Sequence, residues 1–280
     1  MKLLPIYQVD VFTKEYYNGN PAAVCILDKD LEDSQMKSIA SEMNLSETAF
    51  LLPIDEHSNI YSLRWFTPEV EVPLCGHGTI AAAKVLFHEL GINGDEIIFQ
   101  TKSGKVSAQK YGEGIAIDFP IDEPIDFQLP EGLLEAMGIK EYEDVKIGKN
   151  TRKIILKLKD CKQIEELSPD FEQMKNIATV EGLKGIAVTT KGNDRYDFIS
   201  RYFNPWAGVN EDPVTGSVHT VLAPYWSIIL DEKQLLAYQA SARGGEIKIE
   251  IKENRVELIG EAIVVLKGEI YTPLKKSTNW

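Results

Sequence analysis

Cys75, Gly76 and His77 stand directly ahead of an apolar run, Ile80 to Phe87, and that placement gives each a chemical use. The run is apolar nearly all round, which reads as an enclosed helix beginning at Gly76. Cys75 then sits at a helix N-terminus, where the positive dipole end depresses a thiol pKa and prepares a nucleophile or general base. The same field favours neutral imidazole at His77, a hydrogen-bond donor or proton relay. Unpaired backbone N–H groups at such a terminus also hold anions, and Gly216-Ser217 offers a second cradle ahead of the apolar stretch Val218–Leu230. Two carboxylates complete the set: Glu47, opening an apolar strand in Asn44-Leu45-Ser46-Glu47-Thr48-Ala49-Phe50, and Asp212, just before Pro213. A carboxylate near an anion cradle can lift a proton from carbon and return it while the helix end holds the negative charge that develops. Each residue also has a plainer reading. The glycines close loop-to-helix turns, Glu47 is a solvated surface acid, Asp212 caps a helix, and His77 is a loop histidine.

Other chemistries find less support. The histidines His57, His77, His88 and His219 and the cysteines Cys25, Cys75 and Cys161 show no H-x-x-x-H or C-x-x-C spacing, so no metal site is expected beyond a long-range pairing of His77 with His219. Gly76-His77-Gly78 lacks the third glycine of a dinucleotide fingerprint and a βαβ setting, so no cofactor is expected. With 30 Lys+Arg against 43 Asp+Glu, the net charge of −13 disfavours nucleic acid and anionic membrane as partners. Three widely spaced cysteines suit a reducing cytoplasm, and Pro5, Gln8 and Asp10 interrupt the first apolar run before a secretion signal can form. The most apolar stretches fall short of the roughly 18 residues that a spanning helix needs.

The elements that must position these residues are mostly strands. Pro5–Phe12, Ala22–Leu27, Glu47–Leu52, Ile60–Phe66, Glu96–Thr101, Lys105–Lys110 and Ile115–Phe119 are rich in β-branched or aromatic residues and bounded by turn formers. A surface helix is predicted over Leu31–Met43, with Met36, Ile39, Ala40 and Met43 on one face and Asp30 as its cap. The chain then repeats. Arg64-Trp65-Phe66-Thr67-Pro68 returns as Arg201-Tyr202-Phe203-Asn204-Pro205 at an offset of 137, and Pro73-Leu74-Cys75-Gly76-His77 as Pro213-Val214-Thr215-Gly216-Ser217 at an offset of 140. Two ordered matches predict a duplicated α+β fold in which each half wraps an antiparallel sheet around a buried helix, with the two helix ends meeting in one cleft. The halves differ where directional chemistry needs them to. Thr215 stands opposite Cys75, Lys184 opposite Glu47, and Val72 opposite Asp212.

These motifs, with Gly19-Asn20-Pro21-Ala22-Ala23-Val24 and Gly208-Val209-Asn210-Glu211-Asp212, resemble the phenazine-biosynthesis PhzF-like family from residue 5 to about 270. The resemblance implies two similar domains, each a barrel-like, mostly antiparallel sheet around a central helix, as in diaminopimelate epimerase. It places the first domain at residues 1–120, the second at 121–266, and a strand at about 267–280 returning to the first. It also implies a homodimer and a cofactor-independent isomerase that moves a proton between carbons of a small carboxylate-bearing metabolite in the interdomain cleft. Glu47 is then the general acid/base, His77 and Asp212 its catalytic neighbours, and Cys75, Gly76, Gly216 and Ser217 the substrate-binding residues. The sequence departs from diaminopimelate epimerase at Thr215, which removes the second thiol of a two-base racemase. Two alternatives stay open: a non-catalytic binder of small carboxylates on the same fold, and a racemase or epimerase working through Cys75 alone.

Overall fold

The computed structural model describes residues 3–55, 58–177 and 182–272, and the chain divides into two units. The first takes the chain up to Ile117 and again from Gly260, and the second runs from Asp118 to Ile259. These limits fall a few residues ahead of those expected from sequence. Of the strand expected at 267–280, the part from 273 onward lies outside the described residues, as does His57.

The first unit contains β1 (Leu3–Val11), β2 (Asn20–Ile26), α1 (Asp33–Met43), β3 (Glu47–Asp55), β4 (Ile60–Phe66), β5 (Glu71–Val72), α2 (Gly76–Lys84), β6 (Glu96–Thr101) and β7 (Gly104–Tyr111). β8 (Gly114–Pro120) runs through its boundary, and after the second unit the chain returns as β18 (Ala262–Tyr271). The strand order is β18-β1-β2-β3-β4-β6-β7-β8, with β5 paired to β4. All pairs are antiparallel except β2–β3 and β4–β6. Each of those exceptions is bridged by a helix, because parallel neighbours need a crossover. α1 lies between β2 and β3 in the chain, and α2 between β4 and β6.

Both faces of the inner strands are covered, which explains the unbroken buried run Ala22-Ala23-Val24-Cys25. α1 covers one face through Met36, Ile39 and Ala40, packed with Cys25, Phe50 and Phe66. α2 packs on β1, β2, β3, β7 and β18, so Gly76 through Ala83 are all buried. α2 continues through a π-helical turn, Val85–Glu89. The cap of α1 is Glu32 rather than Asp30. Gln35 Oε1 accepts from Glu32 N at 3.1 Å in a capping box, while Asp30 Oδ1 accepts only from Leu31 N.

The second unit contains β9 (Pro124–Asp126), α3 (Leu133–Ala136), β10 (Asp144–Gly148), β11 (Ile154–Lys157), α4 (Cys161–Glu165) and α5 (Phe171–Asn176). It continues with β12 (Ile186–Lys191), β13 (Phe198–Asn204), β14 (Val209–Asp212), α6 (Gly216–Leu230), β15 (Gln234–Gln239), β16 (Gly245–Lys252) and β17 (Arg255–Gly260). Its order, β9-β10-β11-β12-β13-β15-β16-β17, repeats the first unit's succession of pairings, with β11–β12 and β13–β15 parallel. Three short helices stand where α1 stood. Leu133, Ile164 and Met174 supply their apolar cover to Ile154, Leu156, Ile186 and Val188. This is the two-domain, barrel-like α+β fold expected from the sequence. Among the described residues, no helix is long and apolar enough to cross a membrane.

The repeated arginines show what the duplication preserves. Arg64 holds Glu71 through two bonds of 2.8 and 2.7 Å and lies 5.1 Å from the Phe66 ring centroid. Arg201 holds Glu211 at 2.7 and 2.9 Å and lies 5.1 Å from Phe203. Strand register corrects one correspondence. Thr48 lies opposite Phe66 and Ile186 opposite Phe203, so the counterpart of Glu47 is Gly185, not Lys184. The carboxylate still belongs to one half only.

Candidate functional site

Glu47, Cys75 and His77 come together in the first unit. Glu47 is the first residue of β3, paired in parallel with Ala22, and Cys75 is the N-cap of α2. The first turn of α2 can seat there because residue 78 has no side chain. A Cβ on Gly78 would lie 2.8 Å from Trp65 Cδ1 and 3.0 Å from Cys75 Sγ. Gly78 N donates to Cys75 Sγ at 3.3 Å, and Thr79 Oγ1 donates to the Cys75 carbonyl at 2.6 Å. The first of these bonds pairs an orphan N–H of the helix start and fixes the thiol in place.

His77 is the hub. Its Nε2 lies 3.1 Å from Glu47 Oε2 and 3.4 Å from Ser46 Oγ, and its Nδ1 lies 3.4 Å from Asn20 Nδ2 and 3.6 Å from Cys75 Sγ. The imidazole is buried, whereas the Glu47 side chain keeps 19% of its surface exposed. Burial raises the pKa of the Cys75 thiol, and the Glu47 charge raises it further. At His77 burial pulls downward, but the charges of Cys75, when ionised, and of Glu47 lift the pKa well above 6.5. Both directions oppose the expectation of a depressed thiol and a neutral imidazole. Burial at the thiol, and the neighbouring Cys75 and Glu47 charges at the imidazole, oppose the helix dipole, an effect worth only about 0.3–2 kcal/mol.

In the second unit, Asp212 ends β14 and accepts from Thr215 Oγ1 at 2.5 Å. Thr215, not Asp212, is the N-cap of α6. Buried Gln239 ties the two residues together, accepting from Thr215 N at 2.9 Å and donating through Nε2 to the Asp212 carbonyl at 2.7 Å. Ser217 Oγ accepts from Lys153 Nζ at 2.6 Å, and that buried ammonium also lies 4.7 Å from the Tyr202 ring. His219 Nδ1 donates to the Thr215 carbonyl at 2.8 Å, and burial lowers its pKa to about 4.

Asn20, Ser46, Lys153 and Gln239 were not singled out as site residues from sequence. Asn20 and Ser46 stand inside the quoted motifs, which is signal enough in retrospect. Lys153 and Gln239 carry none, since a lone lysine or glutamine at a strand end reads as solvated. Glu47, Cys75 and His77 present one oxygen, one sulfur and one nitrogen, all within 4.8 Å of one another.

Comparison with known proteins gives this geometry its context. A family model described as phenazine biosynthesis-like protein matches residues 9–268. A relative from Halalkalibacterium halodurans, named an uncharacterized isomerase, is 46% identical over 273 residues, covering 96% of this chain and 99% of its own. The crystal structure of a phenazine biosynthesis protein of the PhzF family from Enterococcus faecalis superposes with a TM-score of 0.89 at 40% identity, covering 96% of this chain and 100% of that one. A hydroxyproline epimerase from Agrobacterium vitis, with trans-4-hydroxy-L-proline bound, shares the fold at a TM-score of 0.57 and 11% identity, covering 96% of this chain and 92% of its own.

Proposed function

Because the chain belongs to the phenazine biosynthesis-like family, with relatives named as isomerases, we propose that it is a cofactor-independent isomerase in which Glu47 carries the proton. The observation that supports this most is the Glu47–His77 pair at 3.1 Å, with one partner buried and the other partly exposed. His77 beside Oε2 orients the carboxylate, whose partly exposed side chain can meet a C–H bond beside an activating carbonyl, imine or diene. Glu47 takes the proton and becomes neutral, and the electrons of the broken C–H bond spread into the adjoining π system. The imidazolium and the N–H groups at the start of α2, beside Cys75 and Gly76, stabilise that charge. Glu47 then returns the same proton to another carbon. Asn20 and Ser46 position the imidazole. Asp212, Gly216 and Ser217 enter the proposal as residues of the second unit, with variants to be read in the same assay. The ligand is taken to be a small anionic metabolite, and the active form a homodimer. A base role for Cys75 finds no support in the electrostatics, which keep it protonated.

The test is incubation with a panel of small carboxylic acids in heavy water, scoring carbon-bound deuterium and ligand-induced thermal stabilisation together. Exchange that is present in the wild type and lost in Glu47→Gln, with binding retained, is the expected result. Binding without exchange across a broad panel would favour the non-catalytic carboxylate binder instead.

A further inference from the structure

We propose that β18 pairs edge to edge with β18 of a second copy of this chain, antiparallel and about a twofold axis at Gly268. The inference rests on the homodimer reading and gives that dimer its surface. β18 ends the sheet of the first unit, with β1 as its strand partner: Leu3 stands opposite Tyr271, Ile6 opposite Gly268 and Gln8 opposite Leu266. Among the described residues no strand lies along its other edge, and a row of backbone N–H and C=O groups there is a template for a further strand. Leu266, Lys267, Gly268 and Glu269 are all exposed, although successive residues point to opposite faces, as expected at an open edge. Leu266 keeps 46% of its surface exposed and Tyr271 keeps 64%. Gly268 is the residue that nothing within the chain explains. A Cβ there would meet no atom within 4 Å, and its φ lies outside the left-handed region, so neither crowding nor backbone conformation calls for glycine. Glycine inside a strand weakens it and marks a place where another backbone comes close.

The residues around Gly268 select one register. An axis normal to the sheet keeps odd-numbered residues on one face in both copies, and centred on Gly268 it sets Lys267 opposite Glu269 and Leu266 opposite Ile270, each pair twice. Moved to Lys267 the axis would set two lysines against each other, and moved to Glu269 two glutamates, both destabilising. Among the described residues Glu269 has no ion-pair partner of its own, whereas Lys267 reaches Glu89 at 3.2 Å. On the opposite face Ile270 already packs against the cluster of Leu4, Ile6 and Phe50, and Leu266 of the second copy continues that apolar surface. The same two charges discourage other strands, because a partner without the complementary pair leaves them unmatched. Pairing stops at two chains, since each copy has then used this edge.

The experiment uses the full chain and reads mass by sedimentation, without turnover. The wild type should sediment as two chains. Lys267→Glu and Glu269→Lys should each raise the dimer dissociation constant about tenfold or more, because each sets like charges against each other twice. An equimolar mixture of the two variants should restore dimers, since every position then faces its opposite charge. Gly268→Cys should link two copies through a disulfide on mild oxidation, against a wild-type control that carries Cys25, Cys75 and Cys161. Leu266→Cys, which faces Ile270 rather than its own counterpart, should not. If a charge variant does not fold, the Gly268→Cys link decides. A dimer that neither charge variant weakens, that the mixture fails to restore, or that Gly268→Cys does not link overturns this surface and leaves the homodimer standing. A wild type at single-chain mass overturns both. Loss of deuterium exchange in an intact dimer counts against the isomerase reading alone.

Discussion

Glu47→Gln keeps shape and removes the group that carries the proton. It should fold, still be stabilised by a carboxylate ligand, and lose exchange by the upper end of the roughly 10²–10⁴-fold typical of a general base, or more. Cys75→Ser should lose far less, and a fall beyond about a thousandfold, several kcal/mol in the barrier, would show that the thiol acts directly. The ion pair also leaves a mark on stability. The folded pKa of His77 lies above its unfolded value near 6.5, so the stabilisation is present in full below 6.5 and is lost as pH rises through the raised folded value. In urea unfolding, the deficit of His77→Asn relative to the wild type should therefore be largest below pH 6.5 and narrow as the solution becomes alkaline. Glu47, Cys75 and His77 were legible because each stands beside a turn or helix signal of its own. Their charge states were not, because the dipole rule reads one helix end and cannot see a carboxylate arriving from another strand.

At the scale of elements, the seating of α2 rests on Gly78 as much as on its apolar face. Gly78→Ala would press a methyl group into Trp65 and Cys75, with Trp65 itself buried, and overpacking of this kind costs about 1–3 kcal/mol. Thermal unfolding should show that loss, and deuterium exchange should fall with it because Cys75 and His77 are displaced. The helix of the second unit carries Val218 at the matching position, two residues beyond Gly216, and needs no such gap. The paired arginines differ in a way that denaturant titration can resolve. Arg201 serves Glu211 and also the carbonyls of Ile164 and Leu167 at 2.9 and 2.7 Å, so Arg201→Ala should cost about 3–5 kcal/mol. In Arg64→Ala, Glu71 keeps its bond from Lys102, and a loss of about 1–3 kcal/mol is expected. Strands Ile60–Phe66 and Glu96–Thr101 matched their sequence limits because turn formers bound them tightly. The short helices α3, α4 and α5 gave no comparable signal, since apolar cover over an outer face can be built from any scattered Leu, Ile and Met.

For the whole molecule, sedimentation should give twice the 31.4 kDa of one chain if the homodimer proposal holds, and a single-chain mass would remove it. The duplication was legible because Arg-aromatic-Phe-x-Pro does the same work twice, fixing an acid and a turn beside each buried helix. The succession of strand pairings was not, because register is set by partners far apart in the chain. β1 pairs with β18, Leu3 opposite Tyr271, and every strand from β9 to β17 is translated between them. This separation imposes an order on biosynthesis. The second unit is one continuous stretch and needs no later strand, whereas the first must wait for β18 with β1 lacking that neighbour. The half of the protein that holds Glu47, although made first, is thus the last to be completed, and a released chain truncated before β18 should be cleaved by protease in its early residues while the later ones resist.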